Sequence, residues 1–326
     1  MEGAASASPA ERCVAVEAQG YEVLTLLLAS DHRHCGCICR RADGSKFYVK
    51  VTEAPVARNL EIQHHASGYF RGIMSRLPPQ RIAPRWWRWL TGGEPNLAFQ
   101  ETSLIRDGQR AFLISPWIDG VAASSDGAPR LRPADMAAVA RFVAALHHPE
   151  GVPLPPGLER IAPRISDQVY ADRFAFEHLA AALNSGALSE DEVTVMIRTF
   201  NDFPAPKRVF AHRDIWEPNL IHGDDGQLWL IDAEFARWEM AGTDPVHFFL
   251  QTRLFRGNAY AARSGFVEMF AAIRRVRPSI VQEIWAPFLY LLAAAAARVD
   301  GVKEISLLRR LVTLALVRDL EGILSL

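Results

Sequence analysis

Residues 209–236 read VFAHRDIWEPNLIHGDDGQLWLIDAEFA. The first part spaces His212, Asp214 and Asn219 as H-x-D-x-x-x-x-N. The second, NLIHGDDGQLWLID, is the pattern of a β-hairpin turning at Asp225-Gly226. With those two residues at the centre of the turn, Asn219 is expected to face Asp232. An amide oxygen and a carboxylate then share one side, next to Asp214. Hard oxygen ligands of this kind suit Mg²⁺, which keeps several waters and takes phosphate oxygens as further ligands. Asp214 is placed to orient or deprotonate an attacking hydroxyl, a proton transfer worth roughly 10²–10⁴ in rate. One base and two metal-holding side chains is the division of labour of phosphoryl transfer. The competing structural explanation is turn formation, which accounts for Asp224 and Asp225. It accounts poorly for Asp232, because LWLID would half-bury a carboxylate at the end of an apolar strand.

Around this island the chain divides by pattern. EVLTLLLAS reads as a strand, and CGCICRR and KFYVKV flank Asp43-Gly44 as a hairpin. PVARNLEIQHHASGYF carries Val56, Leu60, Ala66 and Phe70 roughly on one helical face. NLAFQETSLI and RAFLISPW flank Asp107-Gly108 as a second hairpin, and DGVAASSDGAP reads as a linker. From PADMAAVARFVAALHH onward the chain is mostly helical, closing with segments at Ala259–Arg274, Ile280–Val299 and Lys303–Ser325. The fold class is therefore α+β: a small β-rich lobe with one helix over residues 13–118, then a larger helical lobe over residues 119–326. Residues 1–12, low in complexity, are expected to be a disordered tail.

With 49% hydrophobic and 22% charged residues and a net charge of −1, nothing global points to nucleic acid or a membrane surface. No secretory leader is legible, the run Ile284–Ala297 is too short to span a bilayer, and four cysteines do not make a disulfide scaffold. A cytoplasmic protein with reduced thiols, monomeric or homodimeric, is expected.

Several ordered motifs resemble the aminoglycoside phosphotransferase and choline kinase-like family, which has a protein-kinase-like fold. The resemblance runs from about Leu24 to Leu250. KFYVKVTE resembles its phosphate-binding strand, AFLISPWIDG its hinge, and VAALHH its helix ending in Leu-His. AHRDIWEPNLI and LWLIDAEFA resemble its catalytic and metal segments, and GTDPVHFF the Asp-Pro segment after them. The resemblance implies ATP, with GTP as an alternative donor, Mg²⁺, and a small-molecule hydroxyl as acceptor. It implies that Lys50 binds the α- and β-phosphates, that Glu61 pairs with Lys50, and that Tyr48 stacks on the base. Ser115 and Trp117 would offer backbone groups to adenine. Asp214 would be the base, with Asn219 and Asp232 holding the metal. Glu53 competes with Glu61 as partner of Lys50. Departures from the family pattern are Arg213, where small-molecule kinases usually carry glycine, and a glycine-poor phosphate loop, ASDHRHCG. The alternatives are a protein kinase and a non-catalytic nucleotide-binding regulator.

Three further features needed placing. Glu234, Glu239 and Asp244 would form either a cluster that receives a cationic amine or a solvated face. RWWRWL, Arg85–Leu90, would either cover the small lobe or meet a membrane interface or nucleic-acid bases. In SDHRHCGCICRR, three cysteines alternate along one strand face without the usual two-residue knuckle of a zinc site. With Asp43-Gly44 central in its turn, Cys37 is expected opposite Lys50 and Cys39 opposite Tyr48, on the nucleotide face. A three-residue turn would put Ile38 there instead.

Overall fold

The strand β3, Lys46–Glu53, has two faces, and they set the plan of the molecule. Phe47, Val49 and Val51 point one way into an apolar core, while Tyr48 and Lys50 point the other way into a cleft. In the computed structural model, which describes residues 9–28, 35–53, 57–77, 95–123, 131–148, 153–299 and 301–326, β3 is the centre of an antiparallel sheet. Its strands are β1 (Glu22–Leu28), β2 (Cys35–Arg40), β3, β5 (Ser103–Asp107) and β6 (Arg110–Pro116), in the order β1-β2-β3-β6-β5. The helix α1, Pro9–Glu17, covers the core face through Ala15 and Val16, so part of the stretch expected to be a tail is helical.

Helix α2, Ala57–Arg76, crosses behind the sheet. Its buried stripe includes Leu60, Gln63, Ser67 and Phe70, at helical spacing. Phe70 anchors it to the large lobe: its ring meets Phe142 of helix α3 (Pro133–Leu146) edge-on at 5.1 Å. A second sheet joins β4 (Leu97–Ala98), β10 (Leu228–Leu230), β9 (Leu220–Gly223) and β7 (Gly120–Ala122), with β4 parallel to β10. A two-stranded ribbon pairs β8 (Arg208–Ala211) with β11 (Arg237–Met240). Helices from Pro133 to the C-terminus bury the remaining apolar surface around Phe249, Phe266 and Phe288. The expected helix Ile280–Val299 is broken after Glu283 and resumes at Trp285. Pro287, which has no N–H to donate, thereby falls in a first turn, where none is needed. Among the described residues, no helix is long and apolar enough to cross a membrane.

Two registers differ from expectation, for one reason. Asp43-Gly44 and Asp225-Gly226 end three-residue loops rather than forming two-residue turns. Gly44 and Gly226 take the left-handed conformation, at φ +84° and +81°. Asp43 accepts the N–H of Ser45 and Asp225 that of Gln227, each at 2.9 Å. Each pairing therefore moves by one residue. Ile38, not Cys39, lies opposite Tyr48, and Gly36, not Cys37, lies opposite Lys50. Cys37 is thus a core residue at 0% exposure, packed with Cys35, Cys39, Val49 and Val51 on the side away from the cleft. Asn219 likewise faces Ile231, whose N–H donates to its carbonyl at 3.0 Å, and not Asp232. Asp107-Gly108 forms a hairpin as expected, with Asp107 paired to Arg110. RWWRWL and most of the phosphate loop, ASDHRHCG, lie outside the described residues.

Candidate active site

The turn after β8 carries His212, Arg213 and Asp214. The Asp244 carboxylate holds it from below, accepting the backbone N–H groups of His212 (3.2 Å) and Arg213 (2.7 Å). Burial pushes Asp244 up to about 6, and those two N–H bonds oppose the shift. Arg213 sits at φ +68°, sparsely populated for a residue with a Cβ. Its guanidinium meets Glu239 at 3.0 Å, and Glu239 also accepts from Arg237 (2.6 Å) and the Tyr170 hydroxyl (2.6 Å). The His212 ring is wholly buried and stacks on Phe70 at 5.6 Å, and burial depresses its pKa to about 4. It is neutral, and its Nδ1 accepts the Asp214 N–H at 3.3 Å. Another buried neutral histidine, His147, ends α3. Its Nδ1–H donates to the Val143 carbonyl (2.7 Å) and its Nε2 accepts the Gly242 N–H (3.0 Å).

This geometry overturns both readings of Glu234, Glu239 and Asp244. All three are buried, at 7%, 1% and 1% exposure. Glu239 and Asp244 hold the His212–Asp214 turn, and Glu234 lies beside Lys50. They form neither a solvated face nor an open cluster for an amine.

Asp214 projects into the cleft beside Asn219, whose amide nitrogen donates to the Asp214 carboxylate at 2.7 Å and to its backbone carbonyl at 2.9 Å. That leaves the Asn219 amide oxygen free of these bonds. Asp232 lies two residues after β10, at φ +64°, which turns the chain away from the strand direction. Across the cleft, the Lys50 ammonium lies 2.7 Å from Asp232 and 3.4 Å from Glu234. Burial alone would lower the Lys50 pKa, but these two carboxylates hold it above the ordinary lysine value. Asp214 is raised to about 7, first by burial and then by repulsion from Asp232, with the Asn219 bond opposing. The group in the position expected of a base thus titrates near neutrality.

Beneath the small-lobe sheet lies a cavity of about 280 Å³ whose lining includes Tyr48, Lys50, Gln63, Trp117, Ile231 and Asp232. Gly36 makes room for the Tyr48 side chain, since a Cβ there would collide with the Tyr48 hydroxyl and ring. Two expectations fail at this cavity. Glu61 does not reach Lys50 but pairs with Arg106, while Glu53 pairs with Arg110 at 3.6 Å. The polar residue that α2 turns toward the cavity is Gln63, 5% exposed, whose Oε1 has no hydrogen-bond partner among the described residues. Its place on the stripe of Leu60 and Phe70 was the available signal, and Glu61 lies off that stripe. At the hinge, Trp117 lines the cavity, but its N–H donates to the Lys46 carbonyl at 3.0 Å. Ser115 sits within the β3–β6 ladder opposite Tyr48. The neighbouring Pro116 carbonyl accepts the Gln100 side-chain amide at 3.0 Å.

The donor set fits a divalent cation of the Mg²⁺ type. Among the described residues, no three His, Cys, Asp or Glu side chains converge into a preformed metal cage. Mg²⁺ does not need one, because one or two carboxylates with water and phosphate oxygens suffice. Asp232, Glu234 and the Asn219 amide oxygen supply oxygens of that kind.

No family model matches the sequence, and no curated protein matches it either. Solved structures do match the fold. A spectinomycin phosphotransferase in complex with ADP and spectinomycin is 10% identical over 96% of this chain and 99% of its own, at a TM-score of 0.58. A macrolide 2′-phosphotransferase from Brachybacterium faecium is 10% identical over 94% and 97%, at 0.54. An amicoumacin kinase in complex with AMP-PNP and Ca²⁺ is 12% identical over 95% and 94%, at 0.51. The chain has the protein-kinase-like fold of these phosphotransferases.

Proposed function

We propose, from that fold and from the cleft chemistry, that the protein transfers the γ-phosphoryl group of ATP to a hydroxyl of a small molecule. The observation that carries the reading is the Asp214 carboxylate, raised to about 7 and held by Asn219 beside Asp232 and Lys50. Asp214 accepts the proton of the acceptor hydroxyl as its oxygen attacks the γ-phosphorus and the bond to the bridging oxygen breaks, releasing ADP. Lys50 moves part of its charge from Asp232 to the α- and β-phosphates, and Tyr48 stacks on the base. Asn219 and Asp232, with Glu234 adjoining, would hold Mg²⁺, which would neutralise charge on the phosphates. The internal partners of Glu239 and Asp244 favour an acceptor whose recognition does not depend on those carboxylates.

The test is ADP release across a panel of amino alcohols, sugars, nucleosides and aminoglycosides, with MgATP and MgGTP in parallel. We expect at least one acceptor to be turned over by the wild type and Asp214→Asn to lose roughly 10² or more in kcat with its fold intact. Full activity in that variant removes Asp214 from the chemistry. Label appearing in host proteins, and in no small molecule, would replace the acceptor class with protein.

A further inference from the structure

A cavity of about 580 Å³ lies against the β8–β11 ribbon and shares no lining residue with the cavity beneath the small-lobe sheet. Its lining is rich in donors. Arg164, Lys207, Arg208 and Arg277 face it with one carboxylate, Glu159. Arg208 pairs with Asp167, and Arg277 lies 2.8 Å from Glu283. Lys207 and Arg164 make no ion pair among the described residues, and the Arg164 guanidinium lies 3.9 Å over the Trp238 ring. Four cations against one carboxylate favour a partner that is acceptor-rich and anionic.

The volume is that of a small-metabolite site. We propose that this cavity binds a phosphate monoester dianion, separately from the nucleotide cleft. A dianion presents three acceptor oxygens, which suits guanidinium forks better than a single carboxylate does. The wall of the site is the ribbon that carries the catalytic turn. Trp238 pairs with Phe210, and the next residue, Glu239, holds Arg213. Placement of this site rests on its own lining and is independent of the activity proposed above.

Calorimetric titration of the full chain without nucleotide tests it, with glucose 6-phosphate, inorganic phosphate and neutral glucose as the three probes. Wild type and Lys50→Met should bind glucose 6-phosphate alike, because Lys50 belongs to the cleft. Arg164→Ala/Lys207→Ala should weaken binding at least about tenfold, and added salt should weaken it in all three proteins. Glu159→Gln, which removes the one carboxylate and leaves the cations in place, should tighten it several-fold. Inorganic phosphate should bind the wild type with the same dependence on Arg164 and Lys207. The proposal is overturned by no binding to wild type at about 10 mM, near the weak limit of a specific site. It is also overturned if only Lys50→Met loses binding, if glucose binds equally well, or if both the double variant and Glu159→Gln bind like wild type.

Discussion

At Asp214 a single carboxylate links stability, pH and chemistry. Its folded pKa, about 7, lies above that of an unfolded aspartate, near 4. Between those values the folded state holds a proton that the unfolded state has released, so stability falls as pH rises through this window. Above the window the folded protein carries a buried charge next to Asp232. Asp214→Asn removes that charge and keeps an oxygen to accept from Asn219. In metal-free buffer its melting temperature should match wild type near pH 4 and exceed it by a growing margin, several degrees, toward pH 8. Adding Mg²⁺ should narrow the margin, because a cation at Asp232 stabilises the ionised Asp214. A margin that does not change with pH would mean that Asp214 titrates normally. These residues were legible because a motif fixes their separations along the chain. Glu61 was not, because its assignment required knowing which residues of α2 face inward. The stripe through Leu60 and Phe70 selects Gln63 instead.

At the scale of elements, hairpin loop length decided what the sequence could reveal. The strands of the small-lobe sheet, the helix after β3 and the turn sites were readable from alternation and Asp-Gly pairs, whereas β7 fell in the stretch read as a linker and β11 beyond the island. Register was not, because Asp-Gly serves both two-residue and three-residue loops. The choice was made at Asp43 and Asp225 by a side-chain bond to the backbone two residues on. One residue of slip moved the whole cysteine row from the cleft to the core under α1. There Cys35, Cys37 and Cys39 are 0–1% exposed, and burial pushes the Cys35 thiol up to about 12. Cys13 on α1, also raised by burial, is only half-buried. Because the thiolate is the reactive form, native-state alkylation should modify Cys13 slowly and the strand cysteines scarcely at all. MgATP should not change either rate, as read by mass spectrometry of the labelled peptides. Nucleotide protection of Cys37 or Cys39 would contradict the observed register.

Across the whole molecule, Lys50 is a buried charge that joins the two lobes. It is 3% exposed, rooted in the small-lobe sheet, and paired with Asp232 and Glu234 of the large lobe. That two lobes exist was plain from the change of pattern along the chain. How they touch depended on which long-range pair formed, and no local signal encodes a contact between residues 50 and 234. Removing one member of a buried ion pair leaves the other uncompensated, at a cost of about 3–5 kcal/mol. Asp232 keeps partial contact with water, 26% of its side chain, so Lys50→Met should fall at the lower end, about 3 kcal/mol. A nucleotide with its metal would have the opposite effect, placing phosphate against the ammonium and a cation against the carboxylates. At one hundred times its dissociation constant, MgATP should stabilise the wild type by about 2.7 kcal/mol. At the same concentration it should stabilise Lys50→Met far less, since the variant has lost the cation that meets the phosphates. Denaturant unfolding with and without MgATP measures all four states. An equal increment in both proteins would show that Lys50 joins the lobes without taking part in nucleotide binding.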